Sequence, residues 1–218
     1  MVTRADMLTE GPADSPDRIV LAHGAGVAMD SPFMTAFARG LAEAGAFVAR
    51  FEFPYMAAAR AEGTRRPPNA AGQLLQSFRS AINALGGPTG LVIGGKSMGG
   101  RMATLLAREL EHEGTPPAGV VCLGYPFHPP GKPQNRRVDH LHALATPTLI
   151  VQGTRDPFGG PDDVAGYALP ETVHLHWTPD GDHHLQPRKS SGYTTDHVWQ
   201  DAVAAVAAFI RDRRAAPA

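Results

Sequence analysis

Residues 91–110, LVIGGKSMGGRMATLLAREL, constrain the fold more than any other stretch of the chain. A short apolar run leads into Gly95-Lys96-Ser97-Met98-Gly99 and straight on into a helical pattern. A strand that turns so sharply into a helix needs small residues where the two approach, and glycine lacks the Cβ that would collide. Comparable units recur along the chain. Strands are expected at Arg18–Ala22, Phe47–Phe53, Leu91–Gly94, Gly119–Leu123, Thr148–Gln152 and Thr172–Trp177. Helices are expected between and after them, at Pro32–Ala44, Ala71–Leu85, Met98–Glu113, Asp162–Leu169 and Asp196–Arg213. The last has Val198, Ala202, Ala205 or Val206, Phe209 and Ile210 on one side. Short apolar runs alternating with amphipathic helices predict an α/β fold, a mostly parallel sheet of six or more strands covered on both faces. Residues 1–17 are expected to add an antiparallel edge strand. Glycine and proline cluster between the periodic segments and form no linker, so a single domain over 1–218 without a large cap is expected.

The turn at residues 95–99 has the form G-x-S-x-G, in the strand–turn–helix setting that presents a serine hydroxyl above a sheet edge. The turn also puts Ser97 at a helix N-terminus, where unpaired N–H groups and the dipole favour developing negative charge. A serine that merely caps the helix is the competing reading. Chain order argues for chemistry. After Thr148–Gln152 comes Gly153-Thr154-Arg155-Asp156-Pro157, and after Thr172–Trp177 comes Gly181-Asp182-His183-His184. Ser97, Asp156 and His183 thus follow in the order nucleophile, acid, base, each in a loop after a strand. In a parallel sheet with right-handed crossovers those loops share one edge.

Directly after the apolar run Ile19–Ala22 stands His23-Gly24-Ala25-Gly26. The loop after such a strand donates one oxyanion N–H and the residue after the nucleophile donates the other, so Ala25 and Met98 are the expected donors, with Gly26 as an alternative to Ala25. His23 has no role in the triad order and is expected to be a structural histidine packed under the loop.

The segments LAHGAGVAMDSPFM, RFEFPYM, RRPPN, GGKSMGGRMA, GYPFHPPGKP, PTLIVQGTRDPFG and GDHHLQPRKSSG resemble the small α/β-hydrolases of the KANL3/Tex30-like kind, which are related to dienelactone hydrolases. They run from Leu21 to Gly192, nearly the whole chain. The resemblance implies the α/β-hydrolase fold with Ser97, Asp156 and His183 at the triad positions. It departs at His184, where Asp or Ser is expected; His183 keeps the Gly-Asp-His spacing. Some relatives act as scaffold subunits, so family resemblance does not by itself establish catalysis.

Composition narrows the remaining classes. With 43% hydrophobic and 19% charged residues the chain has the make-up of a soluble globular protein, and a net charge of −1 provides no global basic field for nucleic acid. No apolar run approaches the ~20 residues of a bilayer span, and no signal-peptide pattern is visible, so a cytoplasmic protein with neither nucleic-acid nor membrane partner is expected. The lone cysteine, Cys122, lies in an apolar run and is expected to be a buried, inert thiol.

The expected activity is that of a serine hydrolase, a carboxylesterase or thioesterase, acting on a small acyl substrate through an acyl-enzyme at Ser97, with no cofactor and no metal. Two alternatives compete. One is a metal hydrolase built on the histidine-dense stretch His174, His176, His183 and His184, which lacks an acidic ligand pair of recognised spacing. The other is a silent interaction protein on a hydrolase fold, in which erosion of the triad would be expected. Two proline-rich loops, residues 54–69 and 125–133, are expected to shape the pocket. Tyr55, Arg66, Arg101 and His128 are the candidate substrate-binding residues, and an anionic substrate is the corresponding expectation. Arg101 stands out because its charge opposes the dipole at the start of its helix, which calls either for an anionic ligand or for an internal partner such as Glu52.

Overall fold

The computed structural model describes residues 1–215. Seven strands form one sheet in the order β1-β3-β2-β4-β5-β6-β7. They are β1 (Leu8–Glu10), β2 (Arg18–Ala22), β3 (Phe47–Phe51), β4 (Val92–Lys96), β5 (Gly119–Leu123), β6 (Thr148–Gly153) and β7 (Val173–Thr178). All neighbouring pairs are parallel except β1 with β3, where Leu8 faces Arg50 and Glu10 faces Val48. The expected antiparallel edge strand is therefore present.

The helices are α1 (Pro32–Glu43), α2 (Pro54–Glu62), α3 (Ala71–Ala84), α4 (Met98–His112), α5 (Pro161–Ala165) and α6 (Thr195–Ala215). Period-two alternation in the strands divides the interior into two cores. Val20, Ile93, Val120, Cys122 and Ile150 point to the side carrying α3 and α4, while Ile19, Leu21, Val121 and Val151 point to α1 and α6. Strands buried on both faces have to read as continuous apolar runs, as these do. On α6 the buried stripe is Val198, Ala202, Val206, Phe209 and Ile210, with Ala207 beside it.

Two segments differ from the sequence expectation. The stretch after β3, expected to be a loop, is helical from Pro54: proline is favoured at the first helical position because its missing N–H has no intrahelical acceptor there, and Gly63 ends the helix with φ 67°. The segment expected to be helical at Asp162–Leu169 is shorter and lies at Pro161–Ala165.

The strand order places the active edge. From β2 the chain steps outward to β3, then returns across to β4 and continues through β5, β6 and β7. The reversal leaves the loops after β2 and β4 side by side at the carboxyl edge, the usual ligand crevice of open α/β sheets. Among the described residues no helix is long and apolar enough to cross a membrane.

Candidate active site

Ser97 forms the corner between β4 and α4 with φ 50° and ψ −112°, a conformation that non-glycine residues rarely adopt and that costs on the order of 1–3 kcal/mol. The corner is held from both sides. Ser97 N–H donates to Leu123 C=O at 3.0 Å, and Arg101 N–H donates to Ser97 C=O at 3.0 Å. The flanking glycines are a steric requirement: a Cβ on Gly95 would lie 2.8 Å from the Gly99 carbonyl carbon, and one on Gly99 would lie 2.7 Å from His23 O. Any side chain there would drive α4 away from the β2 loop.

The Ser97 hydroxyl lies 2.9 Å from His183 Nε2, and His183 Nδ1 lies 2.8 Å from Asp156 Oδ2. The ionised carboxylate only accepts, so Nδ1 carries the proton and donates to Asp156; Nε2 is then free to accept from the serine hydroxyl. His183, not His184, occupies the place beside Ser97. The His184 ring is turned edge-on to Phe33, and its carbonyl accepts from Trp199 Nε1 at 3.1 Å.

Asp156 is 3% exposed, yet both its oxygens are satisfied. Oδ1 accepts from Phe158 N–H at 2.8 Å, and Oδ2 accepts from Gln152 Nε2 at 2.9 Å as well as from His183. Gln152 is fully buried in β6; its Oε1 accepts from Tyr125 N–H at 2.7 Å, and its amide also reaches Tyr125 O and Gly159 O, both at 3.1 Å. The Phe158 ring lies against His183 with centroids 4.1 Å apart. The acid and base loops are stitched together by Arg155, whose N–H donates to Gly181 O and whose Nε donates to Asp180 O, both at 2.9 Å.

Two basic residues next to the motif have structural partners. His23 Nε2 accepts from Phe53 N–H at 3.0 Å, which leaves its Nδ1–H to donate to Gly24 O at 2.8 Å. The ring is fully buried, and burial pushes its pKa down, so it is a neutral structural histidine tying the β2 loop to the end of β3. Lys96 is 2% exposed, and its Nζ donates to His183 O at 2.7 Å. Burial lowers its pKa to about 8 against the opposing pull of Asp156 and Asp182.

A cavity of about 400 Å³ opens over this constellation, lined among others by Ala25, Met98, Arg101, Arg137, Phe158 and His183 together with Ser97. Ala25 and Met98, the expected oxyanion donors, both border it, and Met98 begins α4, where the first N–H groups have no intrahelical acceptor. Two larger hollows, of about 700 and 520 Å³, lie around Arg60 on the outside of α2 and contain neither Ser97 nor His183.

The other candidate binding residues are corrected by these positions. Tyr55 is buried behind the β2 loop, its ring packed on His23 and its hydroxyl 3.4 Å from Gly24 O. Arg66 lies in the hollow outside α2 and is paired with Glu62 four residues before it. His128 is buried, its Nδ1–H donating to Pro129 O at 2.9 Å, with Nε2 3.4 Å from Asp163. None of the three is among the residues that line the cavity. Arg101 does line it, and its proposed partner Glu52 is taken by Arg60 at 2.6 Å. Arg137, Gln152 and Phe158 escaped the sequence reading. Of these only Gln152 left a trace, an amide inside an apolar strand run, which has to find partners once buried.

In β7, His174 is exposed, and His176 is engaged by Asp201 of α6 at 2.8 Å. Cys122 is buried, and burial raises its thiol pKa.

A family model described as an alpha/beta hydrolase domain matches residues 15–211. Among solved structures, dienelactone hydrolase from Anabaena variabilis is similar with a TM-score of 0.70 and 20% identity, covering 94% of this chain and 90% of that one. Est1E from Butyrivibrio proteoclasticus is similar with a TM-score of 0.68 and 15% identity, covering 96% and 94%. A lidless α/β serine hydrolase from Xanthomonas campestris is similar with a TM-score of 0.61 and 18% identity, covering 97% and 89%. Identities this low speak to the shared fold, in keeping with the sheet order. The family match spans most of the sequence, and the chain belongs to the alpha/beta hydrolase domain family.

Proposed function

We propose that the protein is a serine hydrolase, a carboxylesterase or thioesterase, that cleaves a small acyl substrate through an acyl-enzyme on Ser97. The observation that carries this reading is the continuous hydrogen-bond chain from Ser97 Oγ to His183 at 2.9 Å and on to Asp156 at 2.8 Å, at the floor of a cavity. Serine is a poor nucleophile at neutral pH unless a base takes its proton as it attacks. His183 accepts that proton, and Asp156 fixes the ring's tautomer and stabilises the imidazolium that forms. The N–H groups of Met98 and Ala25 stabilise the tetrahedral oxyanion. His183 then returns its proton to the leaving group, and a water activated by the same nitrogen releases the acid.

The volume of about 400 Å³ suits a short acyl chain, and the open edge without a large cap suits a soluble substrate. We also propose, on the sequence motifs quoted above, that the chain's nearer kin within the family are the KANL3/Tex30-like proteins. The test is a panel of p-nitrophenyl esters, thioesters and anilides assayed with wild type and Ser97→Ala. Turnover of short esters or thioesters that vanishes in Ser97→Ala is the expected result; turnover unchanged in the variant would refute the assignment.

A further inference from the structure

The cavity over Ser97 carries a charge imbalance that the hydrolytic chemistry does not use. Lys96, Arg101 and Arg137 border it, and among the described residues no carboxylate does. Asp156 lies behind His183, fully engaged by Gln152, Phe158 and His183. Neither Arg101 nor Arg137 forms an ion pair among the described residues, while Arg50, Arg60, Arg66, Arg79, Arg108 and Arg155 each reach a carboxylate.

Arg101 Nε is moreover buried without a hydrogen-bond partner. The other arginines with such a nitrogen have another use for the guanidinium. Arg50 pairs with Glu10, Arg18 lies 5.1 Å over the Phe47 ring, and Arg213 lies 5.2 Å over Phe209. Arg101 has none of these. Glu52, the internal partner expected from the sequence, is held by Arg60. A buried donor without a partner is costly, and a cation in the first turn of a helix adds to that cost. The neighbours do nothing to relieve it. Burial, and then the Arg101 charge, hold the Arg137 guanidinium below the ordinary arginine range. The same two causes, in the same order, lower His140 to about 4 and keep it neutral. Two like charges therefore face one small cavity, and among the described residues neither has an ion-pair partner.

We propose that Arg101 and Arg137 together bind an anionic oxygen group, a carboxylate or a phosphate, on the acyl substrate that Ser97 attacks. Guanidinium forks match the paired oxygens of either group, and an anion between them separates the like charges and supplies the counter-charge that neither arginine has among the described residues. The inference rests on the hydrolase reading for the identity of the reacting bond, but the anion site itself does not depend on it. Arg101 stands one helical turn beyond Ser97, so the same helix that presents the hydroxyl holds one side of the anion clamp.

The test compares three esters of matched acyl length: p-nitrophenyl valerate, mono-p-nitrophenyl glutarate and the p-nitrophenyl ester of 4-phosphonobutanoic acid. In wild type, kcat/KM for one anionic ester is expected to exceed that for the valerate by tenfold or more, and which anion wins distinguishes carboxylate from phosphate. That ratio is expected to collapse toward unity in Arg101→Gln and in Arg137→Gln, to recover in part in Arg101→Lys, and to persist in Arg79→Gln, whose side chain pairs on the surface with Glu109 and Glu113. A wild-type ratio at or below unity for both anions, or a preference that survives both glutamine variants, overturns the anion site while the hydrolase reading stands on valerate turnover. If no ester is turned over, the hydrolase reading fails by itself. The arginine pair is then judged by calorimetric titration with glutarate and with 4-phosphonobutanoate: affinity weakened tenfold in Arg101→Gln upholds it, and absent or unaltered binding of both overturns it.

Discussion

Lys96 Nζ donates to the carbonyl oxygen of His183 at 2.7 Å, so the residue that precedes the candidate nucleophile braces the loop that carries its base. A lysine with 2% exposure is expensive unless it loses its proton or gains partners. The brace also explains why Gly124 faces it: a Cβ there would lie 2.8 Å from His183 O and 2.9 Å from Lys96 Nζ.

The brace has a pH signature. Burial lowers Lys96 from the ordinary 10.5 to about 8, so between those values the unfolded chain holds a proton that the folded chain has given up. The folded state therefore becomes more stable as pH rises through that window. Relative to Lys96→Met, wild type is expected to gain about 2 kcal/mol between pH 7.5 and pH 10 in urea unfolding. Parallel pH profiles for the two proteins would mean that the lysine is not desolvated in solution.

Gln152 is expected to matter as much to stability as to alignment of the acid. Replacing it by leucine removes partners from Tyr125, Gly159 and Asp156 inside the fold. Unsatisfied buried groups cost ~1–3 kcal/mol each, with partial relaxation, so Gln152→Leu should lose roughly 2–4 kcal/mol by urea unfolding. A loss below about 0.5 kcal/mol would show that the amide network is not formed as described.

His23 is expected to behave as a structural residue. His23→Leu leaves Phe53 N–H without an acceptor and should cost roughly 1–3 kcal/mol at pH 8. The pH dependence has a fixed sign. Burial holds the folded-state pKa below 6.5, so on acidification the unfolded chain takes up a proton before the folded one, and wild type loses stability as pH falls below 6.5. The variant lacks that contribution, so the gap between the two proteins should narrow from pH 8 to pH 5. A gap that widens on acidification would assign His23 the opposite charge behaviour.

The fold and the reactive triplet were legible because both are written in local pattern. β2 and β5 follow the apolar runs residue for residue, and Ser97, Asp156 and His183 each follow a strand in the required order. The helix that escaped carries a weak local signal. α2 begins with a proline in a stretch rich in arginine and proline, which reads as a loop unless that proline is assigned to the first helical turn. The binding residues were the hardest to see, because membership of a cavity depends on side-chain direction. Tyr55, Arg66 and His128 belong to the expected segments but point elsewhere, whereas Arg137 lies in an unpatterned loop and reaches the cavity only through tertiary folding. Arg101 was visible because a cation in the first turn of a helix is locally unfavourable.

The most direct test of the central claim is the site of covalent capture. Wild-type protein treated with a fluorophosphonate is expected to gain one phosphonyl group by intact mass, mapped by peptide sequencing to Ser97. His183→Ala is expected to slow that capture by several orders of magnitude because the serine then has no base. Capture at another residue, or undiminished capture in Ser97→Ala, would contradict the account.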